Sequence, residues 1–257
     1  MSTRSYYSAT IKDFLATHEN YILAEMVKSH PFDLNDFTRD SWLSEIRILK
    51  RELRDFSDGH ISLEFKIPRM GKRVDAVVSY CGILFLLEFK DGDTEYRNST
   101  YKQVVDYALD LKNFHKGSRD KYIVPVAVPT EAPRSSISIQ KYKDGVFYPI
   151  GVNHTQIGEA ICAVSEKWGQ PEIDYDAWEN AEYMPTPTIV EAAQALYNNH
   201  NVAESRVSAT LWLFLRVVVL FLFTEVLRCN DTADCFVFCF FGGMQILKLL
   251  FPHQKCL

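Results

Sequence analysis

Three charged residues interrupt an otherwise apolar stretch of this 257-residue chain: Asp75, Glu88 and Lys90 lie within Arg73 to Lys90, RVDAVVSYCGILFLLEFK. Charged groups of either sign are costly to bury unless they are paired or coordinate a metal. Two carboxylates and an ammonium on strands made for a core therefore call for a ligand. The competing reading is that they are ordinary charges on an edge strand.

Two apolar runs rich in Val, Ile, Leu and Phe, joined by Ser79-Tyr80-Cys81-Gly82, predict a β-hairpin. Strand side chains alternate, so Glu88 and Lys90 project to one face with Phe89 on the other, and the hairpin brings Asp75 beside them. Just upstream, Pro68-Arg69-Met70-Gly71-Lys72-Arg73 is a basic loop suited to holding a phosphate near the acidic pair. For Lys72 a solvated charge run is the rival reading. Before the loop, Ile61 to Ile67 alternate as a half-buried strand, preceded by a turn at Ser57-Asp58-Gly59.

Trp42, Ile46, Leu49 and Leu53 form the stripe of an amphipathic helix with Ser41 as its N-cap. Glu45 lies beside that stripe, either as a solvated acid favoured by the helix dipole or as a third acidic group of the site. After Lys90 a polar, turn-rich segment leads to a second helix with Val104, Ala108, Leu111 and Phe114 inward. Gln103 and Tyr107, four residues apart, share one of its faces, whereas Asp106, Asp110 and His115 read as solvated positions. Tyr122 to Val128 predicts a buried strand in which Pro125 argues for an edge or a bulge. A short strand around Val146 to Val152 and a helix from Ile157 to Trp168 follow. Residues 1–40 predict one or two helices.

An Asp on one strand followed by Glu-x-Lys on the next resembles the PD-(D/E)xK nuclease superfamily, with Val74 in place of its Pro. Gln103-x-x-x-Tyr107 is similar to the accessory motif of the RecB-like branch, and the order of elements over 41–128 matches that superfamily's αβββαβ core. The phrases IPRMGKRVDAVV, LLEFKDG, QVVDYALDLKNFH and TPTIVEAAQALYNNHNV resemble the N-terminal region of bacterial DNA/RNA helicase-like proteins called Schlafen group 3-like, or DUF2075, proteins, over about residues 1–205. The resemblance implies a restriction-endonuclease-like α/β fold and metal-dependent hydrolysis of phosphodiester bonds in DNA or RNA. Asp75, Glu88 and the Phe89 carbonyl would hold Mg2+ or Mn2+. Lys90 would orient water or the scissile phosphate, Glu45 would complete the acidic set, and Arg69, Lys72, Arg73, Gln103 and Tyr107 would engage the nucleic acid. The family's motor is missing: no Gly-x-x-x-x-Gly-Lys-Ser/Thr occurs, so no ATP site is expected. Two other classes compete, a catalytically silent nucleic-acid-binding or regulatory module and a membrane-attached fragment.

Composition, 47% hydrophobic and 24% charged, is that of a globular protein, and a net charge of −5 leaves room for a local basic patch. Met1 is followed by no charged-then-apolar leader, and Cys81 and Cys162 are the sole cysteines before residue 229, so a reducing cytoplasm is expected. From residue 207 the composition breaks: 33 of 51 residues are hydrophobic, with eight of the seventeen Phe and no Tyr. Arg216 near the middle of LWLFLRVVVLFLF opposes a membrane span, and the spacing of Cys229, Cys235, Cys239 and His253 matches no familiar zinc finger. The reading is a domain over 1–205 followed by a truncated or out-of-frame hydrophobic tail at 206–257. A chain ending at residue 206 is expected to keep a single cooperative melt and gain solubility; loss of the melt makes the tail native structure.

Overall fold

The computed structural model describes residues 4–31, 36–68 and 70–184, in which helices cover both faces of a six-stranded sheet. In chain order, β1 (Tyr7–Thr10) leads through α1 (Ile11–Ala16) and α2 (Glu19–Ser29) to α3 (Asp36–Glu52). Strands β2 (His60–Ile67), β3 (Lys72–Tyr80) and β4 (Ile83–Lys90) follow, then α4 (Asn98–Phe114) and β5 (Tyr122–Pro129). The two-residue β6 (Ile150–Gly151), α5 (Ile157–Trp168) and α6 (Tyr175–Glu179) complete the mixed α/β fold. Arg69, the phrase beginning at Thr186 and the hydrophobic tail lie outside the described residues.

Strand order in the sheet equals chain order. Neighbours from β1 to β4 are antiparallel, and the β4–β5 pair is parallel because α4 makes the crossover that a parallel pair requires. Ile61, Leu63, Ala76, Val78, Phe85, Leu87 and Phe89 face one core with α1, α2, α3 and α5. Val77, Leu84, Leu86 and Ile123 face a second core with α4 and α6. Covered on both faces, β4 reads as a nearly unbroken apolar run.

The stripe of Trp42, Ile46, Leu49 and Leu53 is buried, as its period predicts. Helix α3 nevertheless starts at Asp36, so Ser41 is inside it, and its hydroxyl donates to Glu45 at 3.2 Å. The polar first turn has no apolar stripe to announce it. Strand β1 goes unannounced for a similar reason, since four residues are too few to display alternation. Pro125 lies inside β5, not on the sheet's edge, because β6 pairs beyond it. Its missing N–H is tolerated because the bridge at Ile123 and the β6 pairing at Val126 leave a gap on that side.

Asp110 and His115 are buried, against their expected solvation. The Arg4 guanidinium donates to His115 Nε2 at 2.8 Å, and Nδ1 bonds Ser118 Oγ at 2.7 Å. Burial, reinforced by the Arg4 charge, pulls this imidazole down to about 4 and keeps it neutral.

The β3–β4 turn places Cys81 at φ 47° and Gly82 at φ 68°, both left-handed as a two-residue type I′ turn demands. A Cβ at Gly82 would also collide with the Pro171 carbonyl oxygen. Gly82→Ala is therefore expected to cost more than about 1 kcal/mol in urea unfolding, and an unchanged midpoint would refute this account of the turn.

Candidate active site

Strands β3 and β4 stay in register from Tyr80↔Ile83 to Ala76↔Leu87 and then part, while β2 and β3 remain paired out to Ile67↔Lys72. The sheet therefore forks at Asp75. In place of a ladder carbonyl, Asp75 Oδ2 accepts the Phe89 N–H at 2.7 Å. Leu63 faces Ala76 and Phe65 faces Val74, so Glu64 stands level with Asp75; Ala76 faces Leu87, so Glu88 does too. Three carboxylates thus occupy one level on three adjacent strands.

A local twist accompanies the fork. Glu64 has φ 54°, a left-handed conformation that side chains rarely adopt. Ile61 and Leu63 belong to the first core, yet Phe65 and Ile67 belong to the second, so β2 rolls over at Glu64. Strand β3 does the same at Asp75, with Val74 in the second core and Ala76 in the first. The β2–β3 ribbon peels away from β4 at that level.

Glu88 is only 3% exposed. Its Oε1 accepts from Lys90 Nζ at 2.7 Å and from Gln103 Nε2 at 2.6 Å, while its Oε2 is buried with no hydrogen-bond partner. Gln103 also donates to the Tyr107 hydroxyl at 2.8 Å, so the pair on α4 reaches the carboxylate as one unit. From the opposite layer α3 contributes Glu45, 8% exposed, and Trp42, whose indole N–H donates to Glu64 Oε1 at 2.8 Å.

Burial, then mutual repulsion, raises these acids. Desolvation, Glu64, Glu88 and Asp91 push the Glu45 carboxyl up to about 8, against the Ser41 hydrogen bond. Desolvation and the charges of Glu45, Glu88 and Glu64 hold Asp75 well above its ordinary value, with the Phe89 N–H opposing. Glu88 is raised by burial despite Lys90, Gln103 and the nearby Lys72. Burial likewise lifts Glu64, against Trp42 and Arg73.

Asp75, Glu88, Lys90, Gln103 and Tyr107 are brought to one locality, and Glu45 faces into it, not into solvent. Phe89 buries its ring in the first core and sets its backbone against Asp75. Lys72 is exposed near Glu88. Arg73 is held elsewhere: it donates to the Arg4 carbonyl at 3.1 Å and the Glu64 carbonyl, with its guanidinium 3.8 Å from the centre of the Tyr6 ring. Glu64 is the member that sequence reasoning missed, since its place between Leu63 and Phe65 reads as an outward polar position of an alternating strand. Among the described residues, no three His, Cys, Asp or Glu side chains are gathered closely enough to hold a metal by themselves.

No protein-family model matches this chain, and no curated protein matches it. The geometry therefore has to carry the functional reading.

The folded chain keeps the Glu45 proton to about pH 8, whereas an unfolded Glu releases it near 4.5. The native state binds more protons across that window, so its stability falls as pH rises through it. Glu45→Gln should flatten the fall and gain on the order of 3 kcal/mol over wild type between pH 5 and pH 8 in metal-free urea melts. Parallel pH dependence in the two proteins would exclude a buried, protonated Glu45.

Proposed function

We propose that this domain is a metal-dependent nuclease with a restriction-endonuclease-like core, hydrolysing phosphodiester bonds in DNA or RNA. The observation that carries the reading is the fork at Asp75, where two strand carboxylates, the Lys90 ammonium and the Gln103–Tyr107 pair converge. The order α3-β2-β3-β4-α4-β5 supports the αβββαβ core of the PD-(D/E)xK superfamily, to which the RecB-like motif points. The resemblance of its sequence phrases to the N-terminal region of the helicase-like Schlafen group 3 proteins supports the same nuclease class.

Hard oxygen donors and an unpartnered buried oxygen, Glu88 Oε2, fit a divalent cation. Asp75, Glu88 and the Phe89 carbonyl would hold Mg2+ or Mn2+, which when bound activates water and neutralises charge on the phosphate. The protein's groups divide the remaining work. Lys90 orients the attacking water or the phosphate, and Gln103 and Tyr107 position the strand. Lys72 offers positive charge near Glu88, with Arg69 of the same basic loop proposed from the sequence to engage the phosphate backbone, whereas Arg73 acts through the backbone it braces. The free thiols of Cys81 and Cys162 favour the reducing cytoplasm as its location. No helix among the described residues is long and apolar enough to cross a membrane.

Single- and double-stranded DNA and RNA, incubated with Mg2+, Mn2+ or EDTA, test the reading directly. Cleavage is expected with either metal and not with EDTA. Lys90→Ala should lower turnover about 100-fold or more while Mn2+ still binds saturably. Asp75→Asn should abolish both. Saturable Mn2+ and nucleic-acid binding without cleavage on every substrate would instead favour a silent binding module.

A further inference from the structure

We propose, on the basis of that nuclease reading, that Glu64 is a positioning residue of the cation site. Its carboxylate would accept hydrogen bonds from waters on a divalent cation held by Asp75 and Glu88. Register puts Glu64 level with both carboxylates, two strands from Glu88 and adjacent to Asp75. Its backbone is left-handed in mid-strand, and Arg73 fixes that conformation by donating to the Glu64 carbonyl. The Trp42 indole N–H holds Oε1 at 2.8 Å, leaving Oε2 able to accept from water.

Satisfying the indole does not require a carboxylate, because a Gln amide oxygen would accept the same hydrogen bond. What Glu64 adds is negative charge, at a place already crowded by Glu45, Asp75 and Glu88. A cation at that place would relieve the repulsion with the carboxylates still ionised, which protonation does not. The buried, unpartnered Glu88 Oε2 independently marks where that cation has a donor waiting. Glu64 is assigned to the hydration shell, since Asp75, Glu88 and the Phe89 carbonyl already supply the direct donors of the proposed site and Glu64 stands two strands from Glu88. Mg2+ suits this arrangement, since it gives up its hydration reluctantly and is commonly held by one or two carboxylates plus waters.

Mn2+ titration of the full chain, followed by electron paramagnetic resonance and water-proton relaxation, tests the assignment in wild type, Glu64→Gln and Asp75→Asn. Glu64→Gln is expected to weaken Mn2+ about tenfold, as loss of an outer-shell partner does, with stoichiometry and the number of coordinated waters unchanged. Asp75→Asn should lose saturable binding. Glu64→Gly relieves the left-handed backbone, so a purely architectural Glu64 predicts wild-type Mn2+ affinity there, whereas the present assignment predicts the same weakening. Wild-type affinity in both Glu64 variants overturns the assignment, as does one extra coordinated water in Glu64→Gln, which would make Glu64 a direct ligand. Absence of saturable Mn2+ binding in wild type is a different result: it removes the nuclease reading itself.

Discussion

A single hydrogen bond from the Phe89 N–H to Asp75 Oδ2 marks where this sheet stops being regular. A carboxylate takes the place of a ladder carbonyl, so β3 and β4 can separate without orphaning that buried amide. Separation exposes the end of β4 to side chains from both layers. Gln103 and Tyr107 approach from α4, and Glu45 and Trp42 from α3. Neither helix could reach a continuous sheet's interior level in this way, because the strands would fill it.

The fork has a cost, and the surrounding structure shows how it is borne. Glu64 sits in a conformation that L-residues avoid, and a roll of both strands carries Phe65, Ile67 and Val74 into the second core. Burial of those side chains offsets the strain. Arg73 braces the bend through two backbone carbonyls and the Tyr6 ring, which ties the β1 end of the chain to the fork. Arg4 reaches from the same end to the neutral His115 that caps the C-terminus of α4. The opening segment is thus part of the support of the site and not a separate appendage.

Electrostatically the site is unbalanced. Four acids share the region with the Lys90 ammonium on Glu88 and the Arg73 guanidinium near Glu64, and each acid is pushed towards its protonated form. Structural ion pairs ordinarily lower carboxyl pKa values, so the common upward direction separates this cluster from a salt-bridge network. Acids raised together by burial and by one another are a recognised mark of functional sites. A divalent cation would reverse the local preference and favour the ionised forms.

Asp75, Glu88 and Lys90 were legible in the sequence because charge stands out against a buried apolar run, and the pairing of Gln103 with Tyr107 followed from helical period alone. The hairpin, the α3 stripe and α5 were legible for the same reason: period and turn chemistry are local. Glu64 and the structural commitment of Arg73 were not, because both depend on a strand register in which residues far apart in sequence meet at one level. The fate of Glu45 was likewise open until α3 packed on the sheet, since the same helix position can face water or the site. Local period decides which apolar residues are buried; only the tertiary fold decides which polar groups join them and which buried charges meet, because that depends on how helices pack and on where two strands part.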